Sequence, residues 1–275
     1  MQRIDFESLD PQVHRAVERR TGAIRVSRVV GMWPSGPVTA FLYTETGLVF
    51  FKAVPADSSS AARQRCEAVV NPHVQPISAR LRWHETVAGW SLLAFDAVAG
   101  ARCAAYVPAP GGDELFDLPK LVTAMEVLAQ IPCPDLPGID QAEQRWADYL
   151  DDPADAKHFA GRTLLHADYD RLNILITEAK ASIVDWARPA KGAAFIDPAC
   201  LVLRLIAAGH SPAAAEEWAA QTSAWCDADP HALDLFAAAN VRLWREIAAQ
   251  EPHAAWKVQM AAAASAWTDH RLSAG

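Results

Sequence analysis

The sequence predicts an α+β protein, with a small antiparallel sheet in residues 1–97 and a larger, mainly helical part in residues 98–275. Three observations lead there. Five strand-like runs crowd into the first 98 residues, with two helical patterns among them. After Pro198 the apolar spacing is helical almost throughout. Between these regions, residues 164–186 read strand, polar loop, strand, turn, strand.

The elements follow in order. Asp10-Pro11 is an N-cap followed by proline at the first helical position, so a helix starts there, runs to Arg20 and stops at Thr21-Gly22. Strands are expected over Ile24–Val30, Thr39–Thr44 and Leu48–Val54, the last two joined by the turn Thr44-Glu45-Thr46-Gly47. A loop, Gly31 to Pro37, separates the first two strands. Its prolines at 34 and 37 stiffen it and remove backbone donors. Asp57-Ser58-Ser59-Ser60 can cap a helix reaching Val70, where Asn71-Pro72 ends it. Arg80–Val87 and Trp90–Val98 are two more strands, joined by Ala88-Gly89. Leu118–Ile131 is a periodic helix with Asp117 as its expected N-cap. A proline-rich connector, Pro132 to Pro137, leads to a helix around Gln141–Leu150. Beyond the strand–loop–strand region, helices are expected over Cys200–Ala208, Pro212–Cys226, Pro230–Ala249 and Ala254–Trp267. Trp225, Trp244, Trp256 and Trp267 lie on these; tryptophans at such spacing belong to a core or stack on a sugar or base.

Composition narrows the function classes. The chain has 275 residues, 51% hydrophobic and 21% charged, which suits an ordinary globular protein. The most apolar stretch, Ala193 to Gly209, is interrupted by Asp197 and Arg204, so no membrane span is expected. The first seven residues contain no apolar signal core. Five scattered cysteines without a C-x-x-C pair read as reduced thiols, and the expected location is cytoplasmic. A net charge of −8 argues against nucleic-acid binding. That charge is uneven: residues 1–97 carry 11 Lys and Arg against 9 Asp and Glu, whereas residues 98–275 carry 14 against 24.

The chemistry concentrates in Leu164-Leu165-His166-Ala167-Asp168-Tyr169-Asp170-Arg171-Leu172-Asn173-Ile174-Leu175-Ile176, followed by Ser182-Ile183-Val184-Asp185-Trp186. Asp168 and Asn173 lie five residues apart on one loop, and Asp185 ends the next strand but one. Two carboxylates and an amide so placed can hold Mg²⁺ and orient a hydroxyl, as phosphoryl transfer requires. His166 suits scaffolding, with its ring bonded to backbone. Lys52 sits inside the apolar run Leu48–Val54, a costly place for an unpaired ammonium; a solvent-facing lysine would look the same. Glu67, on the next helix, is a partner for it.

His166, Asp168, Asn173, Asp185 and the downstream Ile196-Asp197-Pro198 resemble the aminoglycoside phosphotransferase and choline kinase-like family of the protein kinase-like superfamily. The resemblance implies a bilobal kinase-like fold, with a nucleotide-binding lobe over 1–97 and a catalytic and substrate-binding lobe over 98–275. It implies Asp168 as catalytic base, Asn173 and Asp185 as Mg²⁺ ligands, Lys52 oriented by Glu67 on the phosphates of ATP or GTP, and Asp197 and His166 as supports of the loop. Ser35 and Gly36 would lie in the loop covering the phosphates. Asp96 and Val98 would lie in the hinge, whose backbone binds adenine. The implied acceptor is a hydroxyl-bearing small molecule, above all an antibiotic, and the chain would work as a monomer or homodimer. An acidic C-terminal half would attract a cationic acceptor such as an aminoglycoside; a merely solvated acidic surface has the same composition. The sequence departs from the family at Ala167, where glycine is frequent, and at Asp170-Arg171-Leu172, where His-Pro-Gly is frequent. Trp186-Ala187 after Asp185, in place of Phe-Gly, favours a small-molecule kinase over a protein kinase.

Overall fold

The computed structural model describes residues 5–30, 37–106 and 117–274. The chain divides into two compact units. One comprises Met1–Gly100 with Leu136–Gly138 and Asp185–Ala187, the other Ala101–Asp135, Ile139–Val184 and Arg188–Gly275.

The first unit is built on a five-stranded antiparallel sheet. Its strands are β1 (Ile24–Val29), β2 (Val38–Thr44), β3 (Gly47–Pro55), β4 (Leu81–Val87) and β5 (Trp90–Asp96), in the order β1-β2-β3-β5-β4. Alternation along β3 sends Val49, Phe51 and Ala53 to one face and Lys52 to the other. On the first face they join Phe6, Val13 and Val17 in an apolar core, the last two from helix α1 (Pro11–Thr21). Asp10 caps α1 by accepting the Gln12 amide at 2.7 Å, and Gly22, at φ 71°, ends it. Helix α2 (Ser59–Val70) brings Ala61, Gln64 and Glu67 into buried positions. Its N-cap is Ser58, whose hydroxyl donates instead to the carbonyl of Pro55 at 2.6 Å.

The second unit is mainly helical, with two small sheets. Strands β6 (Arg102–Cys103), β9 (Ile174–Ile176) and β10 (Ala181–Ile183) form one, in the order β10-β9-β6; β7 (Asp140–Gln141), β8 (Thr163–Leu165) and β11 (Ala190–Gly192) form the other, in the order β7-β11-β8. Around them lie α3 (Asp117–Ala129), α4 (Ala142–Trp146), α5 (Ile196–Ala207), α6 (Pro212–Ala219), α7 (Ser223–Cys226), α8 (Pro230–Gln250) and α9 (Ala255–Ala274). Among the described residues no helix is long and apolar enough to cross a membrane.

Three expectations need correction. The helix around 141–150 is α-helical only to Trp146 and tightens into a 3₁₀ turn over Ala147–Tyr149, with the buried Trp146 ring packed 5.1 Å from Phe236. The helix over 212–226 breaks in two, because the Thr222 hydroxyl accepts the Trp225 amide and restarts it. Asp117 is the first described residue of α3, and its side chain is engaged elsewhere than at the helix start. Its carboxylate accepts both Arg102 guanidinium nitrogens at 2.6 Å and the Ala105 amide at 2.8 Å.

Burial alone would push the Asp117 carboxyl up, but Arg102 and the Ala105 amide outweigh it and hold it below the usual value. A carboxylate with a lowered folded-state pKa stabilises the fold fully above its unfolded pKa of about 3.9. That stabilisation is lost as the pH falls through the folded-state value. Asp117→Asn should therefore be less stable than the parent in urea at pH 7, with the gap closing below about pH 4. An equal gap at pH 7 and pH 3 would rule this linkage out.

Candidate active site

In the first unit, β3 and α2 deliver opposite charges to one buried place. Lys52 Nζ lies 2.9 and 3.0 Å from the two carboxylate oxygens of Glu67 and 2.7 Å from Oδ1 of Asp185. Lys52 and Glu67 are 8% and 3% exposed, so both charges are held by each other rather than by water. The Trp186 amide adds a hydrogen bond to Glu67. Burial pulls Lys52 toward its neutral form, yet the two carboxylates prevail and hold its pKa above the ordinary lysine value. Burial pushes Glu67 the other way, up to about 6, against the pull of Lys52. Lysine is thus firmly a cation, a point charge suited to phosphate oxygens. Asp185 has φ 68°, in the left-handed region.

At the end of β5, the Asp96 carboxylate is occupied by Arg80 at 2.8 Å and Arg82 at 2.5 Å, and its amide donates to the Arg80 carbonyl at 2.8 Å. Both groups are thus engaged within the first unit. The backbone of Val98 makes no hydrogen bond to another described residue. Ser35 and Gly36 lie outside the described residues.

In the second unit, the loop between β8 and β9 carries His166, Asp168 and Asn173 and is tied from below by α5. Asp197, buried in the first turn of α5, accepts the amides of His166 at 3.1 Å and Ala167 at 2.8 Å. Burial raises the Asp197 pKa, opposed by those two amides. The His166 ring spans the loop. Nδ1 accepts the Asp168 amide at 3.3 Å, which leaves Nε2 to donate to the Val184 carbonyl at 2.9 Å. Asn173 Nδ2 donates to the Asp168 carbonyl at 3.3 Å, so its Oδ1 is the end that can accept a cation. Asn173 offers an amide oxygen and Asp185 a carboxylate oxygen, donor types that each suit the hard-oxygen preference of Mg²⁺.

Ala167 has φ 58°. The departure from glycine in the sequence therefore falls where the backbone favours glycine. A left-handed alanine costs about 1–2 kcal/mol, and glycine gives back about 0.4–1 kcal/mol through the unfolded chain. Ala167→Gly is expected to gain about 0.5–1 kcal/mol, read as a higher urea midpoint. A lower midpoint would refute the strain.

Arg204 also belongs to this site, although the loop motif does not include it. From α5, its Nη2 donates to Asp168 Oδ1 at 2.7 Å and its Nη1 to Asp170 Oδ2 at 3.1 Å. The signal was present: an arginine inside the apolar helix Ile196–Ala207 requires a partner, the argument applied to Lys52. Of the tryptophans, Trp267 is fully buried with Trp225 stacked on it at 6.3 Å, while Trp256 is 40% exposed and meets Trp244 edge-on at 6.0 Å.

No protein-family model matches the chain, and no curated protein matches its sequence. Solved structures do match. Choline kinase LicA from Streptococcus pneumoniae superposes with a TM-score of 0.65 at 10% identity, over 94% of this chain and 98% of that one. Aminoglycoside phosphotransferase APH(4)-Ia, in a ternary complex with ADP and hygromycin B, gives 0.57 at 11% identity, over 92% and 98%. LicA in complex with AMP gives 0.56 at 10% identity, over 94% and 97%. With nearly full coverage on both sides, the chain has the protein kinase-like fold of choline kinase and the aminoglycoside phosphotransferases.

Proposed function

We propose that the protein is a small-molecule kinase that moves the γ-phosphoryl group of ATP or GTP to a hydroxyl of an antibiotic, an aminoglycoside or another sugar- or nucleoside-containing natural product, and so confers resistance. The observation that carries this reading is the braced loop: Asp168 is held at the tip of a segment fixed by Asp197 and His166, with Asn173 five residues on. Residues 1–97 would bind the nucleotide and residues 98–275 the acceptor.

Asp168 accepts the proton of the acceptor hydroxyl as the new O–P bond forms and the bond to the β-phosphate oxygen breaks, with the nucleoside diphosphate leaving. Lys52, kept charged and aimed by Glu67, binds the phosphate oxygens. Asn173 and Asp185 are the residues that would hold Mg²⁺, which when bound offsets the charge on the phosphates. Asp197 and His166 keep the loop in place, so that the rate comes from positioning more than from new covalent chemistry.

The TM-score to LicA supports a second reading, a metabolic kinase of a small alcohol such as choline or homoserine. Incubation with Mg²⁺ and either ATP or GTP, across aminoglycoside, macrolide and nucleoside antibiotics plus choline and homoserine, separates the two by product mass. A phosphorylated antibiotic supports the first reading and phosphorylated choline or homoserine the second. Nucleotide binding with no product from any acceptor would leave a nucleotide-binding regulator.

A further inference from the structure

Arg204 does more than complete a surface ion pair. Its side chain is 14% exposed, while those of Asp168 and Asp170 are 53% and 35% exposed. The guanidinium is packed by two further side chains. Its Cζ lies 5.6 Å from the Trp244 ring centroid, its Nη1 is 3.8 Å from the Met260 sulfur, and Met260 is itself buried. Trp244 belongs to α8 and Met260 to α9, so three helices fix one cation. Such a guanidinium loses little freedom when it forms its hydrogen bonds, and its fork can serve two carboxylates at once.

At Asp168 the consequences differ for the two carboxylate oxygens. Oδ1 accepts from Arg204 at 2.7 Å and from the Asp170 amide at 3.2 Å. Oδ2 takes no hydrogen bond from another described residue. One oxygen is anchored, and the plane of the carboxylate is set.

We propose that Arg204 is the positioning residue of the phosphoryl-transfer step: by holding Oδ1 of Asp168 against α5, it presents Oδ2 to the acceptor hydroxyl. Asp170 is the second anchor of the same fork and keeps the guanidinium from following Asp168 out of line. This rests on the reading of Asp168 as the base. Its particular content is that the geometry of that base is set by a side chain 36 residues downstream, on the helix that also carries the loop brace Asp197.

The test uses the full-length protein and Arg204→Met, with Arg204→Lys as the variant that keeps the charge but loses the fork. Two readouts are taken: amide hydrogen exchange over residues 166–173, and steady-state transfer to whichever acceptor the parent phosphorylates. Arg204→Met should speed exchange in that loop and cut kcat by about 10²-fold, the cost of misplacing a reacting group by about 1 Å. The KM for nucleotide should stay within about twofold, since only the base is displaced. Arg204→Lys should fold like the parent and still show a kcat deficit, which a merely structural cation would not produce. Parental kcat in Arg204→Lys together with unchanged loop exchange in Arg204→Met would overturn the role of Arg204 alone. A parent that binds nucleotide yet phosphorylates no acceptor would overturn the kinase reading, and the positioning role with it.

Discussion

Asp168→Asn is expected to lower turnover by about 10²–10⁴-fold, the range for loss of a general base, while leaving the fold and nucleotide binding in place. The substitution is nearly isosteric. The amide oxygen can still accept from Arg204 and from the Asp170 amide, which now reach Oδ1 at 2.7 and 3.2 Å. What changes is the other corner, where an NH₂ group donates a hydrogen bond and cannot take a proton. The Asp168 side chain is 53% exposed, so its ion pair with Arg204 is screened, and its loss should cost at most about 1 kcal/mol. The measurement is single-turnover transfer with the melting temperature and nucleotide affinity measured alongside. Undiminished transfer would remove Asp168 from the mechanism. A collapse in stability would mean that it serves the fold instead.

The strand-rich first unit was legible because its signals are local. Asp10-Pro11 starts α1, Gly22 ends it, and the turn at Thr44–Gly47 joins β2 to β3 as expected. The loop from His166 to Asn173 was legible because its residues are fixed in spacing and flanked by short apolar strands. What could not be read locally was set by distant partners. The break between α6 and α7, capped locally by Thr222, is also held by Glu126, whose carboxylate takes the Ser223 amide at 2.6 Å from 97 residues away. At the end of α4, Trp146 packs on Phe236, 90 residues away. Asp117 looked like a cap because acidic residues favour helix starts, but Arg102 offered it a stronger, two-pronged partner. Asp96 pairs with Arg82 of the neighbouring strand β4 and with Arg80 just before it. At Asp117 and Asp96 the carboxylate takes an ionic partner beyond its own segment. Arg204 obeys the same logic, and the demand for a partner could have been read from its apolar helix even though the partner could not.

Lys52→Met should destabilise the protein by about 3–5 kcal/mol, the cost of removing one member of a buried ion pair. The size follows from what remains. Glu67 is 3% exposed and would face an apolar side chain where it now has an ammonium at 2.9 and 3.0 Å. Asp185 loses the same cation, but its side chain is 47% exposed and water can replace the contact. The deficit should therefore trace to Glu67, and adding Glu67→Gln to Lys52→Met should recover much of it, because a neutral amide is far cheaper to bury than an unpaired carboxylate. Activity should behave differently. Neither variant has a lysine for the phosphates, so transfer should stay lost in the double variant even as stability returns. A double-mutant cycle in urea, run beside a transfer assay, reads both quantities. If the double variant were no more stable than Lys52→Met, the buried pair would not be what couples β3 to α2. If it regained transfer, the phosphates would be held by some other cation. Recovery of stability without recovery of transfer would separate the two duties of Lys52, a buried counter-charge for Glu67 and a ligand for the nucleotide.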